Sequence, residues 1–339
     1  MRHLGDRGHI VGSGGGYLPA ADRVRCGASP RHTATADLDH DGVPDLLVTD
    51  YVANSVNVFR GKGTGFFQSA FTTPVGAGPA ACALADLNGD GFPDAVTANK
   101  SSFDVSVLLG FGNGLGAATS YPTGAMASGL AVGDWNQDGN LDLAVPALGM
   151  GGIEVLLGSG NGSFGPASPY GSPQDPFFLA SGDLNGDGKC DLVTVHFFSS
   201  QVGVLLGIGG GAFANGVGYA CGSFPLTAAI RDVTLDGKAD VVTANSGTAT
   251  LTILNGDGAG HLTLGATLPT GGVPQSVSID DVNRDGQLDL LTANPSTSDV
   301  SVLLGTAGAT SARPSNGPPA PARRTSSPPI PTMTAASTS

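Results

Sequence analysis

From Asp86 to Asn99 the chain reads DLNGDGFPDAVTAN, an acidic turn that runs straight into a stretch of strand formers. Five more stretches carry the same turn: DLDHDGVPD from Asp37, DWNQDGNLD from Asp134, DLNGDGKCD from Asp183, DVTLDGKAD from Asp232 and DVNRDGQLD from Asp281. Successive starts lie 49, 48, 49, 49 and 49 residues apart. A period in this range marks one supersecondary unit stacked repeatedly, so the step decides the architecture before any single residue is interpreted.

Working outward from Asp86, PAACALADL enters the turn as a first strand and DAVTAN leaves it as a second. SFDVSVLLG gives a third, with Val105, Val107 and Leu109 alternating on one face. A glycine-punctuated turn, GFGNG, then leads to a short fourth strand near ATSYPTG. The other units repeat the plan, as in DLLVTDY and SVNVFRG, DLVTVHF and QVGVLLG, DVVTAN and TATLTILNG, or DLLTAN and DVSVLLG. Four antiparallel strands in each of six units predict an all-β propeller of six blades. The last unit reaches Gly305 without a fourth strand, and GSGGGYLPAADRV at 12–24 has the sequence of that strand. We expect it to pair with the last blade and lock the ring. Arg7 to Gly12 resemble a third strand without a unit of their own, which keeps seven blades as the alternative. The propeller is expected over residues 1–305, followed at 306–339 by a disordered tail rich in Pro, Ser, Thr and Ala. GFGNGLG and GSGNGSFG superficially resemble nucleotide-binding loops, but such loops open a helix, and here a β segment follows.

Composition narrows the function classes. The formal net charge of −13 argues against a nucleic-acid surface, which needs basic patches. The acidity is localised: the six loops hold 19 of the 28 carboxylates. No apolar run approaches the roughly 18 residues of a membrane span. Met1 to Gly16 lacks the apolar stretch of a secretory signal and opens inside the repeat pattern, so a truncated start is expected. Cys26, Cys82, Cys190 and Cys221 form no C-x-x-C pair, which disfavours zinc. Cys26 and Cys221 occupy equivalent places in non-adjacent units, too far apart for a bridge, so free thiols are expected.

The turn itself follows D-x-[DN]-x-D-G-x-x-D. Side-chain oxygens at positions 1, 3 and 5 converge as the chain curls, and Gly at position 6 permits the sharp bend. The carbonyl of position 7 points inward and Asp at position 9 closes the shell. Such an all-oxygen set suits a hard cation with six or more ligands, calcium before magnesium. The candidate ligands are Asp37, Asp39, Asp41 and Asp45; Asp86, Asn88, Asp90 and Asp94; Asp134, Asn136, Asp138 and Asp142. They continue with Asp183, Asn185, Asp187 and Asp191; Asp232, Thr234, Asp236 and Asp240; Asp281, Asn283, Asp285 and Asp289. Up to six calcium ions are therefore expected. The first loop should bind tightest, and the fifth, with Thr234 in place of Asp or Asn, weakest. An EF-hand would need flanking helices and an acidic position 12, where this chain has Val48, Thr97, Val145, Thr194, Thr243 and Thr292. Simple Asx turns would explain one copy, but not six that each crowd like charges together.

At these residues the sequence resembles the FG-GAP/VCBS repeat family, the units of integrin α-subunit propellers and of many bacterial surface proteins. The resemblance spans roughly Gly12 to Gly305 and rests on in-phase motifs such as DVNRDGQLDLLTAN and DVSVLLG. It implies calcium held between the first and second strands of each blade, on one face of the ring, and an extracellular or cell-surface location. Integrin propellers have seven blades and only some of them bind metal, so an integrin-like partner does not carry over.

The expected function is a non-catalytic binding or adhesion module, monomeric, with a protein or glycan ligand and neither nucleic acid nor a membrane span. The alternatives are a lectin-like carbohydrate binder and a polysaccharide-acting enzyme such as a lyase. Trp135 and the recurring Tyr121, Tyr170 and Tyr219 read as structural, and the six histidines make no ligand spacing. One irregularity marks a candidate ligand contact: His196, Phe197 and Phe198 replace the usual small polar turn of the fourth unit, with Phe177 and Phe178 one strand earlier.

Overall fold

Strand residues alternate sides, so a strand buried on both faces reads as an unbroken apolar run. Asp94–Asn99 is such a strand. Val96 points with Val105 and Val107 into the apolar cluster shared with the next unit, while Ala95 and Leu108 point into the cluster shared with the preceding one. The computed structural model describes residues 24, 26–306 and 309–314. It contains six four-stranded antiparallel blades, and among the described residues there is no helix. Blade 1 comprises Pro30–Ala36, Asp45–Asp50, Ser55–Gly61 and Phe67–Pro74, and blade 2 comprises Pro79–Ala85, Asp94–Asn99, Asp104–Leu108 and Thr119–Pro122. In blade 3 the first strand is divided, because Met126–Ala127 and Ala131–Gly133 both pair with Asp142–Leu148. Gly152–Leu156 and Ser168–Gly171 complete that blade. Blade 4 is Phe178–Gly182, Asp191–His196, Gln201–Leu205 and Val217–Ala220. Blade 5 is Pro225–Arg231, Asp240–Asn245, Thr250–Gly256 and Leu262–Pro269.

Blade 6 departs from expectation. Its strands are Ser278–Asp280, Asp289–Asn294, Asp299–Thr306 and Ala309–Pro314. The fourth strand thus comes from the start of the expected tail, and the outer edge where residues 12–24 were placed is already paired. That N-terminal stretch, except Val24, lies outside the described residues.

Five apolar clusters join successive blades. Between blades 3 and 4, for example, Ala144, Ile153 and Val155 meet Leu179, Leu192 and Leu205. Between blades 4 and 5, Val193, Val202 and Val204 meet Ala228, Val241 and Leu254. At the position of Val202 the first five blades bury their side chain completely, whereas Val300 of blade 6 is 48% exposed. Trp135 lies in the core, as read from sequence, and the four cysteines are free.

Inside the blades a polar network recurs beside the apolar one. Asn99 donates from Nδ2 to Asp104 and Ser106 and accepts from Thr97 Oγ1. Asn245 and Asn294 hold the same place in blades 5 and 6. Burying these amides is tolerable because their Nδ2 groups are bonded, and in blades 2 and 5 the Oδ1 accepts from a threonine; in blade 6 Asn294 Oδ1 has no such partner. Glu154 stands where blade 2 has Ser106, and both of its carboxylate oxygens accept the Gly124 N–H. Burial raises its pKa, against the lowering effect of that bond.

Each third strand has a glycine at its end or within two residues of it, and the reason is a close approach. A Cβ on Gly61, Gly110, Gly158, Gly207, Gly256 or Gly305 would lie 2.0–2.5 Å from a backbone carbonyl oxygen of the acidic loop. Replacing Gly256 by Ala should therefore destabilise the fold by about 1–3 kcal/mol, the scale of an overpacked core. Gly165→Ala, whose φ is not left-handed and whose Cβ would meet only the Leu157 carbonyl oxygen at 3.7 Å, is the matched control. Urea melts of the two variants measure the difference.

Glu154 gives a second prediction. Its folded pKa lies above the unfolded value of about 4.3, so its favourable contribution is full below that pH and is lost as pH rises through the folded pKa. Glu154→Gln keeps an acceptor for Gly124 but cannot ionise. Its stability relative to wild type should rise between about pH 4 and neutrality, as read by melts across that range.

Candidate metal centre

Every acidic loop connects a first strand to a second, so all six open at the same end of their blades. Two left-handed residues curl each loop. Position 6 is always glycine, with φ of +83° at Gly42 and +91° at Gly91. Position 4 is left-handed as well, and there four copies place a bulkier residue: His40, Gln137, Leu235 and Arg284 at φ 57–62°. Sequence reading missed this second bend, because only Gly89 and Gly186 announce it.

The curl is held by side-chain acceptors in all six loops. The carboxylate at position 1 accepts the position 6 N–H, as from Gly42 to Asp37 at 2.8 Å and from Gly139 to Asp134 at 2.9 Å. The position 5 carboxylate accepts the position 7 N–H, as from Phe92 to Asp90 at 2.8 Å. These bonds leave lone pairs on the same oxygens, directed into the loop.

The closing aspartates behave differently. Asp45, Asp94, Asp142, Asp191, Asp240 and Asp289 are at most 1% exposed. Each accepts the position 2 N–H on one oxygen and the glycine N–H at the end of the third strand on the other. For Asp94 these are Leu87 at 2.8 Å and Gly110 at 2.6 Å; for Asp191, Leu184 at 2.9 Å and Gly207 at 2.8 Å. Burial raises the pKa of Asp94, Asp142 and Asp191, with the backbone N–H bonds opposing it. The residues expected to close a metal shell thus also pin the loop to its blade.

Only the first loop brings three carboxylates together, with ligand atoms of Asp37, Asp39 and Asp41 within 4.8 Å of one another among the described residues. Asn88, Asn136, Asn185 and Asn283 supply an amide oxygen at the corresponding point of four others. In the fifth loop Thr234 Oγ1 is buried without a partner. An oxygen-only donor set with an orphaned hydroxyl fits a hard cation.

Three loops also carry an internal cation. Arg60 Nη1 lies 2.8 Å from Asp39 and 2.7 Å from Asp45, Lys189 pairs with Asp187 at 2.9 Å, and Lys238 with Asp236 at 3.7 Å. Arg60 was not singled out from sequence, although blades 2, 3, 4 and 6 have Leu109, Leu157, Leu206 and Leu304 in its place.

The aromatic candidates divide. His196 is fully buried and takes the structural place of Asn99, with Nε2 at 2.9 Å from Thr194 Oγ1 and 3.2 Å from Ser172 Oγ. Burial lowers its pKa. Phe178 packs against the core between blades 4 and 5. These two residues are therefore not surface contacts. Phe177, Phe197 and Phe198 do group together, joined by Phe224 of the neighbouring blade, which sequence reading missed.

Comparison with known proteins agrees with this architecture. The FG-GAP-like repeat family matches residues 37–97, 86–145 and 232–292, half of the chain. Among solved structures, a candidate 6-phosphogluconolactonase of Bacteroides uniformis superposes with a TM-score of 0.67 at 17% identity, covering 89% of this chain and 88% of that one. An Agrocybe aegerita lectin that recognises non-reducing terminal N-acetylglucosamine gives 0.56 at 19% identity, covering 80% and 76%. Virginiamycin B lyase of Staphylococcus aureus gives 0.55 at 13%, covering 81% of each chain. At these identities the likeness is one of fold alone. No curated protein matches the chain.

Proposed function

The chain belongs to the FG-GAP-like repeat family, and from that premise we propose that it is a calcium-binding propeller serving as a non-catalytic binding or adhesion module outside the cell. The observation that carries this reading is the convergence of Asp37, Asp39 and Asp41, in a loop repeated in phase in five further blades. Carboxylates crowded this closely repel one another, and a divalent ion replaces that repulsion with attraction. In the first loop Asp37, Asp39, Asp41 and Asp45 would hold the ion, and the equivalent residues would do so in the other five. Calcium bound there would tie the loop oxygens to one centre and stiffen the ends of the first and second strands.

Binding is favoured over catalysis because the described histidines lie in unrelated places. His32 faces Cys82, His40 stacks on Phe92 at 4.6 Å, His196 is buried, and His261 pairs with Asp257 on the surface. None adjoins a candidate nucleophile with a lowered pKa. Burial pushes the Cys82 and Cys221 thiols up to about 12, the opposite of activation. The lactonase-like, lectin and lyase propellers share the scaffold, and a fold of this kind does not by itself fix a function.

Extracellular calcium modules bind at roughly 0.1–1 mM. At ~1 mM calcium and a Kd of ~0.1 mM, each site adds about 1.4 kcal/mol, and six independent sites would add on the order of 8 kcal/mol. Calorimetric melts in calcium and in EGTA should then differ by roughly 10 °C or more, and coincident melts would sink the proposal.

Arg60 competes for the same oxygens as the ion. Arg60→Leu, the residue most blades already have, should raise calcium affinity at the first loop about fivefold, the worth of a partly buried ion pair of ~1 kcal/mol. Titration calorimetry of the variant against wild type measures it.

A further inference from the structure

Two residues past the fourth strand of a blade, the linker crosses the face of the next blade, and its side chain sets how well that junction fills. Between blades 3 and 4 this residue is Pro173. Its ring lies so close to blade 4 that a Cβ on Gly203 or Gly216 would be 2.7 Å from Pro173 Cδ. The pairing registers put Ser106 and Ser120 of blade 2 where blade 4 has Gly203 and Gly218. At the junction of blades 1 and 2, however, the linker residue is Gly76. Its N–H donates to Ser106 Oγ at 3.0 Å, which holds the linker without filling the space. A cavity of 480 Å³ lies there, between the end of blade 1 and the outer strands of blade 2.

Asp104 is the one charged residue that lines this cleft. Blade 4 has Gln201 in its place, so the filled junction lacks the charge that the open one carries. Asp104 is 8% exposed and enters no ion pair among the described residues. Its hydrogen-bond donors are all neutral. Oδ1 accepts Asn99 Nδ2 at 3.0 Å and Ser102 Oγ at 2.5 Å, and Oδ2 accepts Ser120 Oγ. Such bonds make burial tolerable but leave the whole negative charge in place. A carboxylate oxygen offers about two lone-pair sites. Those of Oδ1 are taken, whereas Oδ2 keeps one for a donor in the cleft. The walls beside it are aliphatic, from Pro74, Val75, Leu115 and Ala118.

We propose that the cleft between blades 1 and 2 binds a primary alkylammonium group, with an N–H on Asp104 Oδ2 and the alkyl chain along Pro74, Val75 and Ala118. A single remaining acceptor suits a compact ammonium head. A guanidinium would need two acceptor sites in one plane for its paired donors. A divalent cation requires several oxygens at once, and the walls supply carbon instead. A free alkyl amine and a lysine side chain offer the same ammonium chemistry. No acidic-loop residue lines the cleft, so the site holds whether or not those loops bind calcium.

The test is a ligand-observed NMR titration of the full chain with pentylamine, run in calcium and in EGTA. Pentanol and pentylguanidine serve as the neutral and the planar control. Pentylamine should bind, and each control should bind about tenfold more weakly. Nα-acetyl-lysine methylamide carries the same head on a peptide unit: tighter binding than pentylamine assigns the site to a lysine side chain, and weaker binding to a free amine. A chain of net charge −13 also gathers amines non-specifically, so two variants decide. Asp104→Asn should weaken pentylamine about tenfold. Ala118→Phe alters an exposed position, keeps Asp104 and fills the cleft, so it should abolish binding while leaving the melt unchanged. No binding by the wild type, equal binding of either control, or undiminished binding by Ala118→Phe overturns the proposal. Amine binding together with coincident melts in calcium and EGTA would refute the metal reading alone.

Discussion

The six buried carboxylates at the start of the second strands hold the architecture together. Each is removed from water and accepts one N–H from its own loop and another from the end of the third strand. An unpaired buried carboxylate would cost several kcal/mol, so both bonds must form together if the group is to stay ionised. The requirement reaches outward through the blade. The third strand must end with its N–H facing the carboxylate, which brings its Cα against the loop carbonyl and leaves room only for hydrogen as a side chain. One aspartate thus fixes the loop, the hairpin register and a glycine 16 residues away.

That latch also explains why the loops can concentrate charge without collapsing the ends of the blades. The position 1 and position 5 carboxylates are partly spent on backbone N–H bonds, which lower the pKa of exposed Asp138. Lys189 does the same for Asp187. The loop curl rests on the chain's own hydrogen bonds, so little ordering entropy would oppose the ion proposed above, the general advantage of a preorganised site. The first loop is both the most charged and the one holding Arg60, so charge count alone would overstate its affinity for the proposed ion.

Much of this was legible in the sequence, and the exceptions have physical causes. Second strands such as DAVTAN and DVVTAN are buried on both faces, so their β-branched, unbroken runs announce them. Loop positions are likewise readable, because oxygen-bearing residues recur at fixed offsets. Left-handed residues at His40, Gln137, Leu235 and Arg284 were not, since a chain without glycine gives no local sign of positive φ. Arg60 was invisible because its partners, Asp39 and Asp45, are brought to it only by hairpin pairing. His196 misled because a histidine in a turn-like HFFSS run reads as surface, whereas the repeat register places it in the buried Asn position. The last strand, Ala309–Pro314, was hidden in a segment whose Pro, Ser and Thr content reads as tail. Edge strands need only one paired side and tolerate such residues.

The two ends of the blades are therefore specialised by the same repeat. First-to-second loops vary little, because each must satisfy one latch, and they gather carboxylates at one end. Second-to-third turns share only a left-handed residue before the third strand, as at Asn54, Phe103 and Ser200, and otherwise differ: they read YVAN in blade 1, KSSF in blade 2 and FFSS in blade 4. A turn with one fixed bend and no carboxylate to satisfy can accept a protruding ring at small cost in stability, whereas a ring at an oxygen-bearing position of the acidic loop would remove an acceptor of the bonds that curl it. Sequence variation is thus channelled to the end where Phe197 and Phe198 lie, with their position fixed from below by the buried His196, Thr194 and Ser172 contacts. A rigid scaffold that confines its variability to one rim is the physical form expected of a module that presents a ligand surface.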